Sequence, residues 1–277
     1  MRSARLSAPP RPAVVLVAHG SRDPRAAAST EALARAVRRA RPGGVVRAAY
    51  LDHAGPRPLD VLGSLGGGRA VLVPLLLTEA YHGRVDLPAV VASAADLPVE
   101  VTMAGVLGPR RVAVPAAGVS LALPSAGIPG ALPPAGVRGA RMPRLLLEAL
   151  TRRLPVDDYD AVVLAAAGTR DAVARETVGH AAEALGQRLR VPSAVSYASG
   201  VGPRAGEAVR ALRAAGARRV VVAGYFLAPG LLYDQAAESA RDAGAAGVAE
   251  PLGDAPELVG LIAERVAAAE GRRLAAA

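Results

Sequence analysis

LVAHGSRD (residues 16–23) returns as LAAAGTRD (residues 164–171) in the second half of the chain. The pairing sets His19 against Ala167. Downstream, VLVPLLLTEAYHGRVD (71–86) matches VVAGYFLAPGLLYD (221–234), which sets His82 against Leu232. A residue that maintains the fold is needed in both halves, whereas a residue that does chemistry is needed in one. The internal duplication therefore separates scaffold from site and singles out His19 and His82.

Around these anchors, short β-branched runs alternate with amphipathic stretches rich in Ala, Leu and Arg. Strands are expected at 13–18, 45–51, 70–77 and 99–106, with helices at 25–40, 58–65, 87–95 and 144–154. The second half repeats the order, with strands at 161–166, 193–197, 219–227 and 247–251 and a last helix at 256–269. The strands are continuous apolar runs rather than alternating ones, as in a parallel sheet covered on both faces. Strand–helix alternation of this kind implies a doubly wound α/β layer with right-handed crossovers.

The expected organisation is a flexible tail at 1–12, a first unit at 13–109 plus 143–155, and a second, degenerate unit at 156–270. A low-complexity insertion at 110–142 divides the first unit. LGDAPELVGLIAERV (252–266) is continuous, whereas its counterpart LGP (107–109) resumes only at PRLLLEALTRRL (143–154). A surface insertion at a tolerant loop is the expected role of that segment, with a lid over the site or an error in the gene model as alternatives.

Composition excludes several classes. Hydrophobic residues make up 52% of the chain and aromatics 3%, without Trp, so the core must be built from Ala, Val and Leu. The absence of Cys removes disulfides and thiolate metal sites. The 33 basic residues, all Arg, exceed the 24 acidic ones and give a net charge of +9. They are scattered along helical stretches (Arg35, Arg38, Arg39, Arg41) without a dense block or interleaved aromatics. That argues against a nucleic-acid partner and for an anionic small molecule such as a polycarboxylate. The apolar run at 13–18 is too short for a membrane span or a signal segment. No membrane partner and a cytoplasmic location are expected.

His19, Asp52 and His82 each follow the carboxyl end of a successive strand, where an open parallel sheet forms its ligand crevice. Two imidazoles and a carboxylate suit Co(II), Ni(II) or Fe(II), with open positions that let the ion be passed on. Glu79, Tyr81 and Arg84 flank His82 and give way to Pro229, Leu231 and Asp234, which makes them pocket candidates. Arg22 and Asp23 recur as Arg170 and Asp171, so scaffold roles are favoured, Asp23 capping a helix opened by Pro24. Arg22 is also a candidate for a substrate carboxylate. On an extended segment His53 would point away from Asp52 and play a surface or supporting part, and His180 would be solvated.

VLVAHGSRDPRA (15–26), AAYLDHAGPRP (48–58) and VPLLLTEAYHGRVDLP (73–88) together resemble the sirohydrochlorin chelatases, class II enzymes in their long, two-domain form. The resemblance covers nearly the whole first half, and the second half looks like the degenerate partner domain. It implies two tandem flavodoxin-like, chelatase-like α/β domains with parallel sheets facing one another across a cleft. It also implies a metal chelatase (a lyase) that inserts Co(II) or Fe(II), with Ni(II) admitted, into a carboxylate-rich tetrapyrrole in cobalamin or siroheme biosynthesis. A non-catalytic tetrapyrrole or metal carrier is the alternative. No organic cofactor is implied; the metal is a substrate, and the chain acts as a monomer or homodimer. His19 and His82 match the metal-binding and catalytic histidines. Asp52, in Y-L-D, stands where the family has the Glu of F-L-E, one methylene longer. Asp52 therefore reaches the metal directly, acts through water, or has passed the role to Glu79 or His53. Arg22, Arg84, Tyr81 and Glu79 are the implied substrate-binding residues.

Overall fold

The computed structural model describes residues 11–78, 85–111 and 140–276. The tail at 1–10, the loop at 79–84 and residues 112–139 of the expected insertion lie outside the described residues. So do His82, Glu79, Tyr81 and Arg84.

The first half runs β1 (Ala13–Ala18), α1 (Pro24–Ala40), β2 (Val46–Tyr50), α2 (Pro58–Gly63), β3 (Gly68–Pro74), α3 (Leu87–Ser93) and β4 (Val99–Met103). Two residue pairs, β5 (Arg110–Arg111) and β6 (Ala140–Arg141), then meet antiparallel at the base of the insertion, and α4 (Arg144–Arg152) follows. The second half runs β7 (Ala161–Ala166), α5 (Ala172–Leu189), β8 (Ser193–Tyr197), α6 (Ala205–Ala214), β9 (Val220–Tyr225), α7 (Leu231–Asp242), β10 (Gly247–Val248) and α8 (Pro256–Ala276).

Two four-stranded sheets result, ordered β2-β1-β3-β4 and β8-β7-β9-β10, and every pairing in them is parallel. The expected doubly wound α/β fold in two tandem parallel-sheet domains is present. Along β1, Val14 and Leu16 face an inner core while Ala13, Val15 and Val17 face an outer one. Both faces are covered, which is why the strand is apolar throughout. The inner core is shared by both sheets and by α1, α4, α5 and α8, whereas α2 with α3 and α6 with α7 cover the outer faces.

Helix α1 shows how sequence positions the site. Asp23 caps it by accepting from the Arg25 N–H at 2.9 Å, and Pro24 opens it. Its buried residues Thr30, Leu33, Ala34 and Val37 form one helical stripe. The matching Asp171 caps α5 by accepting from the Ala174 N–H at 3.0 Å.

The helices that close the two repeats are exchanged. Helix α4, grouped by the repeat with the first unit, packs on β9 and α5, while α8 packs on β3, β4 and α1. Each carries an arginine that donates to the carbonyl groups beyond the last strand of the other half. Arg153 Nη2 donates to Leu252 O at 2.9 Å and Arg265 Nε to Val106 O at 2.8 Å. Arg69 with Glu270 (2.8 Å) and Arg152 with Glu257 (2.6 Å) fasten α8 further. Because α8 completes the first core, Leu261→Ala, fully buried within α8, is expected to cost about 3 kcal/mol. Urea denaturation should show both halves unfolding in one transition.

The edge strands end earlier than expected, β4 at Met103 and β10 at Val248. After β4 the Ala104 and Leu107 N–H groups still bond Leu72 O and Leu76 O at 2.8 Å, but the Val106 carbonyl is taken by Arg265 instead of a strand. Among the described residues, no helix is long and apolar enough to cross a membrane.

Candidate functional site

At the carboxyl end of the first sheet the turn after β1 and the loop after β2 are stitched together. The Asp52 N–H donates to His19 O at 2.8 Å, and the Leu51 N–H to Ala18 O at 3.0 Å. Between them Gly20 takes a φ of +97°, and a Cβ there would stand 1.7 Å from Asp52 O. Only glycine permits so close an approach in that conformation. The second half keeps the same turn: the Ser199 N–H donates to Ala167 O at 3.0 Å, and Gly168 has a φ of +100°. The backbone is duplicated, and the imidazole is not.

His19 is half-buried, with Nδ1 3.1 Å from Gly20 O. A carbonyl only accepts, so this contact suits a ring that donates from Nδ1, and in the neutral ring that leaves the lone pair on Nε2 for a metal or a proton. Asp52 reaches the same place, as sequence order and strand ends indicate. Its carboxyl is held below the usual carboxylate range, first by the His53 backbone N–H that it accepts at 2.8 Å. The charges of His53, Arg57 and His19 act in the same direction. Asp52 is therefore ionised at neutral pH.

The loop after β2 differs from expectation at His53. The segment is not extended: His53 has a φ of +59°, in the left-handed region. Instead of pointing away, the ring lies with Nε2 3.4 Å from Asp52 Oδ2 and its centre 6.3 Å from that of His19. The signal was present in the repeat, because the position matching His53 is Gly200, with a φ of +75°. His180 lies on α5, half-buried and away from this cluster. Arg22 is exposed in the turn between His19 and α1.

The second half closes over this end of the first. Arg25 joins Asp23 and Asp234, at 2.5 Å each, so the starts of α1 and α7 face one another. Ser29 Oγ donates to Leu227 O at 3.5 Å, and the buried Tyr225 hydroxyl donates to Leu77 O at 3.0 Å. Leu231, 68% exposed, lies one turn before Asp234 and gives the second half an apolar rim there. Among the described residues, no three His, Asp or Glu side chains form a ready-made metal cage.

A pair of doubly wound domains with imidazoles gathered at the strand ends of one half defines a class of small two-domain α/β proteins. The CbiX family model matches residues 13–118 and 161–269, and the chain belongs to that family. The resemblance drawn from the three sequence stretches is borne out at that level. Among solved structures, SirB from Bacillus subtilis, with Fe3+, is 19% identical, with a TM-score of 0.66 over 93% of this chain and 94% of that one. The sirohydrochlorin chelatase SirB from Bacillus subtilis subspecies spizizenii, in complex with cobalt, is 18% identical, with a TM-score of 0.67 over 94% and 96%. CbiX, described as the terminal enzyme for siroheme biosynthesis in denitrifying bacteria, is 20% identical, with a TM-score of 0.57 over 93% and 99%. No curated protein matches the sequence.

Proposed function

We propose that the protein is a sirohydrochlorin chelatase that inserts Co(II) or Fe(II) into its tetrapyrrole in the cytoplasm. The observation that carries this reading is a metal-competent imidazole, His19, at the strand ends of one half, on a turn whose duplicate holds Ala167. Membership of the CbiX family supports it, as do structural relatives solved with iron and with cobalt.

Insertion must strip water from the ion and remove two pyrrole protons. In this reading neutral His19 and His82 receive the ion and hold it over one face of the macrocycle. Ionised Asp52, beside His19, accepts one of the two protons and solvent takes the other. Arg22 and Arg84 are assigned to the substrate's carboxylates, and Tyr81 and Glu79 to substrate binding as well. No organic cofactor is required, since the metal is itself a substrate. One chain supplies both walls of the cleft, so a monomer suffices, and a homodimer works equally.

Anaerobic absorbance of sirohydrochlorin with Co(II) or Fe(II) tests the reading. Spectral conversion well above the uncatalysed rate, lost in His82→Ala, is the expected result. Stoichiometric binding without acceleration would show a carrier and overturn the proposal.

A further inference from the structure

We infer that His53 is an imidazole metal donor beside His19, a role that serves the chelatase reading but is measurable without it. The repeat supplies the first reason. Asp52 and Ser199 make the same backbone bond to the preceding turn, so His53 and Gly200 occupy equivalent positions. Both are left-handed, at +59° and +75°. The second half fills that position with the residue the backbone favours, whereas the first half holds a β-carbon in a conformation that L-residues avoid. Strained positions of this kind gather where a side chain is needed in a fixed place. The same asymmetry, a functional group in one half against a minimal residue in the other, distinguishes His19 from Ala167.

Geometry supplies the second reason. The left-handed turn leaves the ring centre 6.3 Å from that of His19. With metal–nitrogen bonds of about 2.1 Å, two imidazoles on opposite sides of one ion have centres roughly 6.5 Å apart, and closer at smaller angles. His19 and His53 lie just inside that limit, so one ion joins them as a nearly opposed pair, or at a smaller angle once the His53 ring turns closer. With 34% of its side chain exposed, His53 is not locked in place by packing. Asp52 Oδ2, 3.4 Å from His53 Nε2, holds the ring on the His19 side of the loop. Histidine and carboxylate donors without thiolate select a divalent first-row cation.

The test is titration of the full chain with Co(II) alone, followed by the visible d–d absorption, together with thermal unfolding of the metal-free protein. His53→Gly copies the second half, so its Tm is expected to equal or exceed that of the wild type. Its Co(II) affinity is expected to fall about tenfold or more, with a changed d–d spectrum. His180→Ala, outside the site, should bind Co(II) like the wild type. A His53→Gly protein with wild-type affinity and spectrum overturns the inference, and sirohydrochlorin conversion by the wild type would still stand. Conversely, weakened Co(II) binding in His53→Gly beside a wild type that never inserts metal would uphold the donor and sink the chelatase reading. A wild type that does not bind Co(II) overturns both.

Discussion

His19→Ala is expected to bring metal insertion down to the uncatalysed rate while changing stability by no more than about 1 kcal/mol. The molecule carries its own control for folding. Ala167 occupies the matching turn, accepts the same backbone bond from Ser199, and precedes a glycine with nearly the same φ, +100° against +97°. Alanine is therefore compatible with this turn. What the substitution removes is the imidazole at the end of β1, and His53, on the loop after β2 with its ring centre 6.3 Å away, does not fill that place. Circular dichroism and anaerobic sirohydrochlorin absorbance on the same preparation separate the two effects. Added imidazole should restore part of the rate, because the missing group is a small soluble base. A His19→Ala protein with full activity would remove the first half's claim to the site.

The scaffold was legible because its physics is periodic and written twice. Apolar runs such as 13–18 and 161–166 announce doubly covered strands, and HGSRD against AGTRD exposes which positions the turn itself requires. Asp23 as a cap and the approach of Asp52 to His19 both follow from that pattern. What stayed hidden depends on relations the pattern does not encode. The place of His53 turns on the sign of one φ, and only its pairing with Gly200 betrays it. The exchange of α4 and α8 is invisible because both helices have the same apolar stripe and either sheet could receive it. The arginines that choose, Arg153 and Arg265, look like any others among the 33 basic residues.

The exchange also bears on function. A cleft between two domains joined only by a linker would open and close freely. Here each inner face is completed by the other half's last helix, so the shared core holds the two sheets in one arrangement. Among the described residues, the two halves also meet near the site through the Arg25–Asp234 pair, Ser29 on Leu227 O, and the buried Tyr225 on Leu77 O. The shared core thus fixes how the two halves stand around the turn that carries His19.

Gly20→Ala is expected to cost on the order of 4 kcal/mol and to abolish insertion as well. Its φ of +97° is already unfavourable for a side chain, and the new Cβ would lie 1.7 Å from Asp52 O and 2.8 Å from Asp52 C. No rotamer change relieves this, since the obstacle is backbone. The Asp52 carbonyl must retreat, yet it accepts the Ala54 N–H at 2.7 Å in the turn that positions His53. Relief of the clash therefore displaces His19, Asp52 and His53 together. Gly168→Ala provides the comparison: its Cβ would meet Ser199 O at 2.0 Å with a φ of +100°, but the turn it distorts carries no imidazole. The two variants should lose similar stability in urea and differ sharply in Co(II) binding measured well below their transitions, with Gly168→Ala close to wild type. Retained Co(II) affinity in Gly20→Ala would take the site away from this turn. Equal loss in both would mean that the second half, stripped of its histidines, still shapes the place where the metal sits.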